Sequence, residues 1–288
     1  MRKTMGILLL LIMALSMLTG CKDDTSSSFD TSKSISVVSR EDGSGTRGAF
    51  IELLGVEVKG DNGSKKDMTT KEAIIANQTS VVITNVAGNK YAIGYISLGS
   101  LSNTVKAVKI EGVDATADNV KNGTYPIARP FNIATKGEPV KLAKDFINFI
   151  LSADGQTVVA KSYIAVNDNT SSYDGDKPSG KIAVAGSSSV APVMEKLKEA
   201  YLSVNPNAVI EIQESDSSAG MIAAINGTCD IGMASRGLKE SELKQLTPQQ
   251  IAIDGIVVIV NNENPLTRLT KEQIKAVYTG KTQKWTMQ

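Results

Sequence analysis

Residues 39–50, SREDGSGTRGAF, combine groups that could hold a small anion. Arg40 offers a full positive charge in a planar fork that suits the oxygens of phosphate-like groups. Ser44 and Thr46 offer hydroxyl donors, and Gly45 lets the backbone come close to a ligand. The same residues could instead activate a serine for catalysis, or simply form a turn. The rest of the chain must decide between these three interpretations.

Two further loops share this design. Residues 185–192, AGSSSVAP, and 215–220, SDSSAG, each follow a predicted strand and precede a predicted helix. The N-terminus of a helix leaves backbone N–H groups unpaired and carries partial positive charge. If three such ends converge, Ser188, Ser189 and Ser217 complete a neutral, donor-rich cage for an oxyanion. Taken singly, each serine is also typical of a plain helix N-cap.

Composition argues against catalysis and against nucleic acid as a partner. The chain has no histidine, which removes the commonest general base and metal ligand, so we expect no metal site and no cofactor. Lys and Arg number 31 against 30 Asp and Glu, and aromatic residues are 5%, which leaves no basic or base-stacking surface. Residues 278–282, YTGKT, match the end of a nucleotide phosphate loop, but Lys275 stands where that loop requires glycine. An enzyme acting on phosphate esters stays the alternative from a different class.

The elements that position these loops alternate between strand and helix, which predicts an α/β fold. The predicted strands are 34–39, 91–99, 105–113, 181–186, 208–215, 229–235 and 253–261. The predicted helices are 45–55, 71–77, 139–152, 191–204, 219–227 and 270–280, the last with Thr270 as its N-cap. The polar segment 167–180 has the composition of a linker, after which the pattern restarts. Cys229 lies among small and apolar residues and is predicted to be buried without a disulfide partner.

The first residues are typical of a secretory signal that ends in a lipidation site. Arg2 and Lys3 precede an apolar stretch at 5–15 that is too short to span a bilayer. The sequence Leu-Thr-Gly-Cys ending at Cys21 resembles the lipobox of bacterial lipoproteins, which implies a signal peptide at 1–20, acylation of Cys21 and anchoring on the extracytoplasmic face of the cell membrane. Residues 21–33 are predicted to be a flexible tether. The alternative is an ordinary secretory signal followed by a chance cysteine.

Four long segments carry a family resemblance. REDGSGTRGAF, AGSSSVAPVMEKL, SDSSAGMIAAINGTCDIGMASR and DGIVVIVNNENPLTRLTKEQIKAVYTGKTQKW resemble the phosphate-binding proteins of bacterial phosphate ABC transporters, in the periplasmic-binding-protein type II superfamily. The resemblance covers nearly all of residues 34–286. It implies a two-lobed, Venus-flytrap α/β fold, in which each lobe is a mixed sheet flanked by helices and two crossings form the hinge. It further implies a monomer without enzymatic activity that takes inorganic phosphate into the interlobe cleft and delivers it to a membrane permease.

The resemblance also implies a set of site residues. The phosphate ligands that it implies are Arg40, Ser44, Gly45, Thr46, Ser188, Ser189 and Ser217. Asp42 matches the acid that braces the arginine. Many family members have an aspartate that accepts a proton from phosphate where this chain has Arg236, so sulfate or another tetrahedral oxyanion is an alternative ligand. Asp216 or Asp42 could replace that acceptor, while Arg236 could contact the anion or pair with a surface acid.

The segments stand in a different order from that of the family. There, GSSSVAP comes first and REDGSGT follows the YTGK helix, so the present order predicts a circular permutation with new ends between Trp285 and Ile35. The predicted lobes are 34–88 with 263–288, and a continuous lobe 89–262 that contains the linker. The alternative is a rearranged or truncated duplicate without binding activity, whose halves pair only between molecules.

Overall fold

The computed structural model describes residues 29–60, 64–166 and 171–286. The predicted signal peptide, Cys21 and most of the predicted tether lie outside the described residues, as does the start of the predicted linker. The chain from Thr31 onward forms one compact unit. Among the helices described, none combines the length and the apolar character needed to cross a bilayer.

Strands and helices alternate along the described chain. The strands are β1 (Ser36–Arg40), β2 (Glu57–Lys59), β3 (Lys65–Asp67), β4 (Ile74–Ala76), β5 (Ala92–Ser97), β6 (Lys106–Ala107), β7 (Lys109–Ile110), β8 (Ala128–Thr135), β9 (Gly180–Ser187), β10 (Ala208–Ser215), β11 (Ile231–Ala234), β12 (Thr247–Val260) and β13 (Arg268–Leu269). The helices are α1 (Gly45–Leu53), α2 (Thr79–Ala87), α3 (Ala117–Lys121), α4 (Lys141–Leu151), α5 (Ala153–Val159), α6 (Ala191–Val204), α7 (Ser217–Asn226), α8 (Glu240–Leu243) and α9 (Lys271–Tyr278).

Most strands join one mixed sheet in the order β10-β9-β11-β8-β12-β5-β1-β4, with β6 also paired to β12. The long strand β12 runs through both halves of this sheet. Residues 247–255 of β12 pair with β8, and residues 256–260 pair with β5, antiparallel in both cases. One half of the sheet therefore contains β8 to β11, and the other contains β1, β4 and β5. This mixed sheet with helices agrees with the predicted α/β class.

The strand pairing divides the sheet at other positions than the predicted lobe boundaries. We predicted crossings near residues 88 and 262, which would place β5 and all of β12 in one lobe. Instead β5 pairs with β1, so the chain crosses between β5 and β8 and again within β12 at residues 255–256. The sequence could not specify this, because β5 and the end of β12 are buried on both faces and their apolar runs would suit either sheet.

Each half of the sheet has its own core. Helices α4 and α6 pack on β8 and β9 through a cluster that includes Phe131, Phe146 and Leu197. In the other half, Val82 and Val86 of α2 pack against β1, β5 and β12. The Cys229 side chain is buried, as predicted, and burial raises the pKa of its thiol to about 11.

Two adjacent predictions of secondary structure were wrong or missing. Residues 71–77, predicted as a helix, form a turn followed by strand β4. Helix α2 at Thr79–Ala87 was not predicted. Its sequence TSVVITNVA is rich in β-branched residues, which favour strands, but burial of Val82 and Val86 against the sheet outweighs that local preference.

The start and end of the described sheet lie side by side. Ser34 and Lys284 form an antiparallel bridge, and the Ile35 N–H donates to the Gln283 carbonyl at 2.8 Å. The described part of the linker is also held in place, since the Tyr173 hydroxyl donates to Asp145 Oδ2 at 2.5 Å. The strands of both halves therefore pair within one chain.

Candidate functional site

Seven buried hydroxyl groups meet where several strands run into helices. Thr46 lies in the first turn of α1, Thr79 begins α2, Ser217 begins α7, and Ser235 directly follows β11. We define the hydroxyl cluster as Thr46, Thr79, Ser187, Ser188, Ser189, Ser217 and Ser235. None of these residues is more than 5% exposed. They come from both halves of the sheet, so the cluster lies at the boundary between the halves.

Direct contacts hold the cluster together across that boundary. Thr46 Oγ1 lies 2.8 Å from Ser189 Oγ and 3.4 Å from Ser235 Oγ. Thr79 Oγ1 lies 3.1 Å from Ser189 Oγ and 3.3 Å from Ser188 Oγ. The Thr79 N–H also donates to Ser188 Oγ at 3.2 Å. Two segments distant in sequence thus present hydroxyls and backbone donors to one small volume.

Gly45 lies directly against the opposite half of the sheet. Its N–H donates to Ser217 Oγ at 3.2 Å, and that oxygen also accepts from the Ser235 N–H at 3.1 Å. A Cβ atom on Gly45 would lie 2.5 Å from Ser217 Oγ and 2.8 Å from Ser235 Oγ. Only glycine fits here without displacing the opposite half.

Arg40 brings one full positive charge to the cluster. The residue is 2% exposed, and its Nη1 donates to Thr79 Oγ1 at 3.3 Å. Glu41 receives the other side of the guanidinium, with Nε to Oε2 at 2.7 Å and Nη2 to Oε1 at 2.6 Å. Such a two-point pair fixes the orientation of the guanidinium plane.

The backbone around Arg40 is supported from two sides. The Tyr95 hydroxyl lies 2.8 Å from Ser39 Oγ and accepts from the Arg40 N–H at 3.0 Å. Burial raises the pKa of Tyr95, so this hydroxyl stays neutral. Arg47 donates from Nη1 to the Arg40 carbonyl at 2.7 Å and from Nε to Asp67 at 2.9 Å. The loop that carries the charge is therefore fixed before any ligand binds.

Asp42 was predicted to brace Arg40, and the structure corrects this prediction. Its side chain is 94% exposed and pairs with Arg47 Nη1 at 2.9 Å, while Glu41 braces Arg40. The chain turns here, because the Ser44 N–H donates to the Glu41 carbonyl at 3.0 Å, and the turn directs Asp42 outward. Two adjacent acids before a glycine could not be told apart from the sequence alone.

Arg236 pairs with a buried acid, Glu242, and not with the surface acid of the second predicted alternative. Its Nη1 and Nη2 atoms each lie 2.8 Å from one oxygen of Glu242. Burial opposes ionisation of Glu242, but the hydrogen bonds from Arg236 and the Lys239 N–H outweigh it and lower the pKa of the carboxyl. The guanidinium is thus committed to a neutralised ion pair rather than directed into the hydroxyl cluster.

Two other predicted residues act as helix caps. Ser44 Oγ accepts from the Arg47 N–H at 3.3 Å, and Asp216 Oδ1 accepts from the Ala219 N–H at 2.8 Å. Asp216 also borders the opposite half, since a Cβ atom on Gly43 would lie 2.3 Å from its Oδ1. Both residues lie at the edge of the hydroxyl cluster. The roles predicted for them as ligand and proton acceptor stay predictions.

Sequence reasoning missed four residues of the site. These are Glu41, Thr79, Ser187 and Ser235. Ser235 follows a strand and precedes a turn, and Ser187 is the first of three consecutive serines, so a search for hydroxyls at strand ends would have found both. Thr79 carried no such signal, because its helix was not predicted.

The arrangement is suited to binding rather than to bond breaking. Hydroxyl and N–H donors surround one arginine, and the cluster contains no residue with a side chain basic enough to activate a nucleophile. Within the described ranges, no three acids, cysteines or histidines come together as metal ligands do. A desolvated anion would gain strong hydrogen bonds here, because no water competes for the donors.

Comparison with known proteins agrees with this geometry. Residues 22–154 and 171–287 match the family model described as the PBP superfamily domain. The phosphate-binding protein PstS 2 of Streptococcus agalactiae is 51% identical over 276 residues, which cover 95% of this chain and 94% of that protein. The protein of the same name from Streptococcus pneumoniae is 46% identical over 270 residues, which cover 93% of this chain and 92% of that protein.

A solved structure is similar over most of its length. It is the crystal structure of a phosphate-binding protein of a phosphate ABC transporter from Streptococcus pneumoniae, with a TM-score of 0.68 and 48% identity. The match covers 88% of this chain and 98% of that chain. Because the curated relatives match over more than nine-tenths of both chains, they share its order of segments.

Proposed function

The chain belongs to the phosphate-binding proteins of the PBP superfamily, and we propose on this basis that it captures inorganic phosphate outside the cytoplasm and delivers it to the permease of an ABC transporter. The observation that carries the proposal is the hydroxyl cluster, which joins both halves of the sheet beside the charge of Arg40. Relatives named as binding proteins, and a site without a general base, both favour transport over catalysis.

Phosphate would replace the hydroxyl–hydroxyl contacts of the cluster with contacts to its own oxygens. Each serine or threonine hydroxyl can rotate its hydrogen towards an anion. The starts of α1, α2 and α7 add backbone donors and partial positive charge. The proposed ligands are Arg40, Gly45 through its N–H, Thr46, Thr79, Ser188, Ser189, Ser217 and Ser235. Glu41 and Arg47 act by positioning Arg40.

The architecture proposed for binding is a two-lobed monomer that is circularly permuted. We place the lobe boundaries in the segment between β5 and β8 and within β12, as the strand pairing favours. The bridge between Ser34 and Lys284 supports new ends in this loop, and pairing within one chain supports a monomer. Light scattering of the purified chain tests the monomer, since a dimer mass would favour exchange of halves.

The membrane attachment proposed is a lipid on Cys21, with the cleft on the extracytoplasmic face. The lipobox-like sequence before Cys21 supports this. In the native host, Cys21→Ser is expected to move the protein from the membrane fraction into the medium or periplasm, without changing phosphate affinity. Retention in the membrane without acyl chains in its mass spectrum would contradict the proposal.

The decisive experiment is calorimetric titration of the chain from residue 22 with phosphate, followed by sulfate competition. We expect 1:1 binding of phosphate to wild type, and strongly weakened binding for Ser189→Ala, since Ser189 contacts both Thr46 and Thr79. The matched control is Ser203→Ala, an exposed serine of α6 outside the cluster. A folded wild-type chain that binds neither anion would refute the function. Preferential binding of sulfate would change the transported solute.

A further inference from the structure

A buried ion pair lies where the two halves of the sheet join. Along β12, Asp254 pairs with Arg129 of β8, and two residues later Ile256 pairs with Ser97 of β5. Asp254 is thus the last residue but one before the strand changes partners. Its position is at one of the two crossings between the halves, and its partner Arg129 is close enough to Arg40 for the two positive charges to interact.

The Asp254 carboxylate contacts both halves at once. Its Oδ2 lies 3.1 Å from Arg129 Nη2, and the two side chains are 0% and 2% exposed. Its Oδ1 accepts from the Ser97 hydroxyl at 2.9 Å. Gly99, just beyond β5, adds a backbone hydrogen bond. One carboxylate therefore connects β8, β12 and the end of β5.

Burying this pair carries a desolvation cost. Burial raises the pKa of Asp254 to about 6 in spite of the nearby guanidinium. Burial also lowers the pKa of Arg129, although Asp254 opposes that shift. Burial is the largest cause of both shifts, and the charge of Arg40 adds to the shift of Arg129. Moreover, Nε and Nη1 of Arg129 have no hydrogen-bond partner among the described residues.

We propose that Asp254 is a positioning residue of the hinge, whose contacts with Arg129 and Ser97 hold the two halves in the closed arrangement that assembles the hydroxyl cluster. This inference rests on the proposed function for its link to phosphate. The contacts fix the angle between the halves, because they link β8 to β5 at the point where β12 changes partners. Without them, the closed arrangement is one of several that the two strands allow.

The main test is Ser97→Ala, which removes the link to β5 without leaving a buried charge unpaired. We expect the dissociation constant for phosphate to rise about fivefold, the equivalent of one hydrogen bond. Asp254→Asn keeps an oxygen that can accept from Ser97 but removes the charge that pairs with Arg129, and is expected to raise the constant about tenfold or more. The matched control is Ser152→Ala, a buried N-cap of α5 with comparable hydrogen bonds and no contact to the hinge. It is expected to lower the melting temperature and leave phosphate affinity unchanged.

A second readout does not depend on phosphate. Spin labels on Glu72→Cys and Lys244→Cys, both exposed and on opposite halves, report the separation of the halves in the chain from residue 22. Without ligand, Ser97→Ala and Asp254→Asn are expected to give longer and broader distances than wild type. Ser152→Ala is expected to match wild type.

The pH dependence separates positioning from simple support. The groups facing the carboxylate are Arg129 from β8, Ser97 from β5, and the hydroxyls of Tyr125 and Tyr163. Burial raises the pKa values of both tyrosines, so they stay neutral throughout the pH range tested. Below about pH 6, Asp254 takes up a proton and wild type comes to resemble Asp254→Asn. The dissociation constant of Asp254→Asn divided by that of wild type is therefore expected to fall towards one between pH 8 and pH 5. Taking this ratio cancels the effect of the titration of phosphate itself, which is the same for both proteins.

The outcomes are decisive in either direction. If Ser97→Ala and Asp254→Asn keep the wild-type affinity and the wild-type label distances, the hinge proposal is overturned. If wild type does not respond to phosphate, the proposed function fails, and the label distances alone decide the hinge proposal. Altered distances that Ser152→Ala reproduces would reduce Asp254 to ordinary structural support.

Discussion

Gly45→Ala is expected to weaken phosphate binding strongly while leaving each half of the protein folded. The new methyl group would lie 2.5 Å from Ser217 Oγ and 2.8 Å from Ser235 Oγ, well inside contact distance. Such overpacking typically costs about 1–3 kcal/mol. Separating the halves also breaks the Gly45–Ser217 hydrogen bond, which contributes about 1 kcal/mol. Because both losses fall only on the closed arrangement, the sum of about 3 kcal/mol raises the dissociation constant on the order of 100-fold.

A neighbouring glycine provides the matched control. Gly48 lies in the same helix α1, and a Cβ atom there would meet no atom within 4 Å. Gly48→Ala is therefore expected to keep wild-type affinity and to raise stability by about 0.5–1 kcal/mol, because alanine favours the helix. Gly45 also lies in this helix, so its alanine variant is expected to melt no lower than wild type in the absence of phosphate.

Calorimetry and thermal melting with and without phosphate decide the question. Wild type and Gly48→Ala should gain melting temperature on adding phosphate, since a ligand that binds only the folded state stabilises it. Gly45→Ala should gain almost nothing at the same concentration. If Gly45→Ala binds phosphate as tightly as wild type, then the close approach of α1 to Ser217 and Ser235 is not the arrangement that binds phosphate, and the proposed site is refuted.

Three further substitutions test other parts of the site. Arg40→Lys keeps the charge but loses the two-point pair with Glu41, and calorimetry should show phosphate affinity reduced on the order of tenfold. Thr79→Val preserves shape but removes a hydroxyl that contacts Arg40, and should weaken binding about fivefold to tenfold, whereas unchanged affinity would remove Thr79 from the site. Tyr173→Phe removes the hydrogen bond to Asp145 that holds the linker, and should destabilise the chain by about 1 kcal/mol in urea titration without changing phosphate affinity.

Much of the site could be predicted from the sequence, because its residues come from a few short segments that can be recognised by residue type. Glycine and hydroxyl residues between an apolar strand and an apolar helix predict a helix N-terminus, and Thr46, Ser189 and Ser217 do lie in the hydroxyl cluster. Helix α6 begins and ends where periodicity predicted, at Ala191–Val204. In these segments local preference and burial agree.

The sequence was uninformative where partners are distant along the chain. Helix α2 forms because burial overrides the strand preference of its valines, and this hid Thr79. The choice of Glu41 over Asp42 depends on a turn that a single hydrogen bond directs. The lobe boundary depends on which strand pairs with β5. An apolar sequence buried on both faces does not indicate which strand that is.

Selectivity between phosphate and sulfate follows from the same placement of charges. Arg236 and Glu242 neutralise each other beside the cleft, and Glu41 is held by Arg40, so no described carboxylate is left in the cluster to repel a fully ionised sulfate. A hydroxyl group can accept a hydrogen bond as well as donate one, so any serine of the cluster could accept a hydrogen bond from the O–H group of protonated phosphate. The advantage of phosphate then amounts to one neutral hydrogen bond, about 1 kcal/mol, or less than tenfold. A carboxylate acceptor would add repulsion of sulfate to that difference. We therefore expect sulfate in modest excess to displace phosphate from this chain in calorimetric competition, whereas phosphate binding that ignores sulfate would contradict this account.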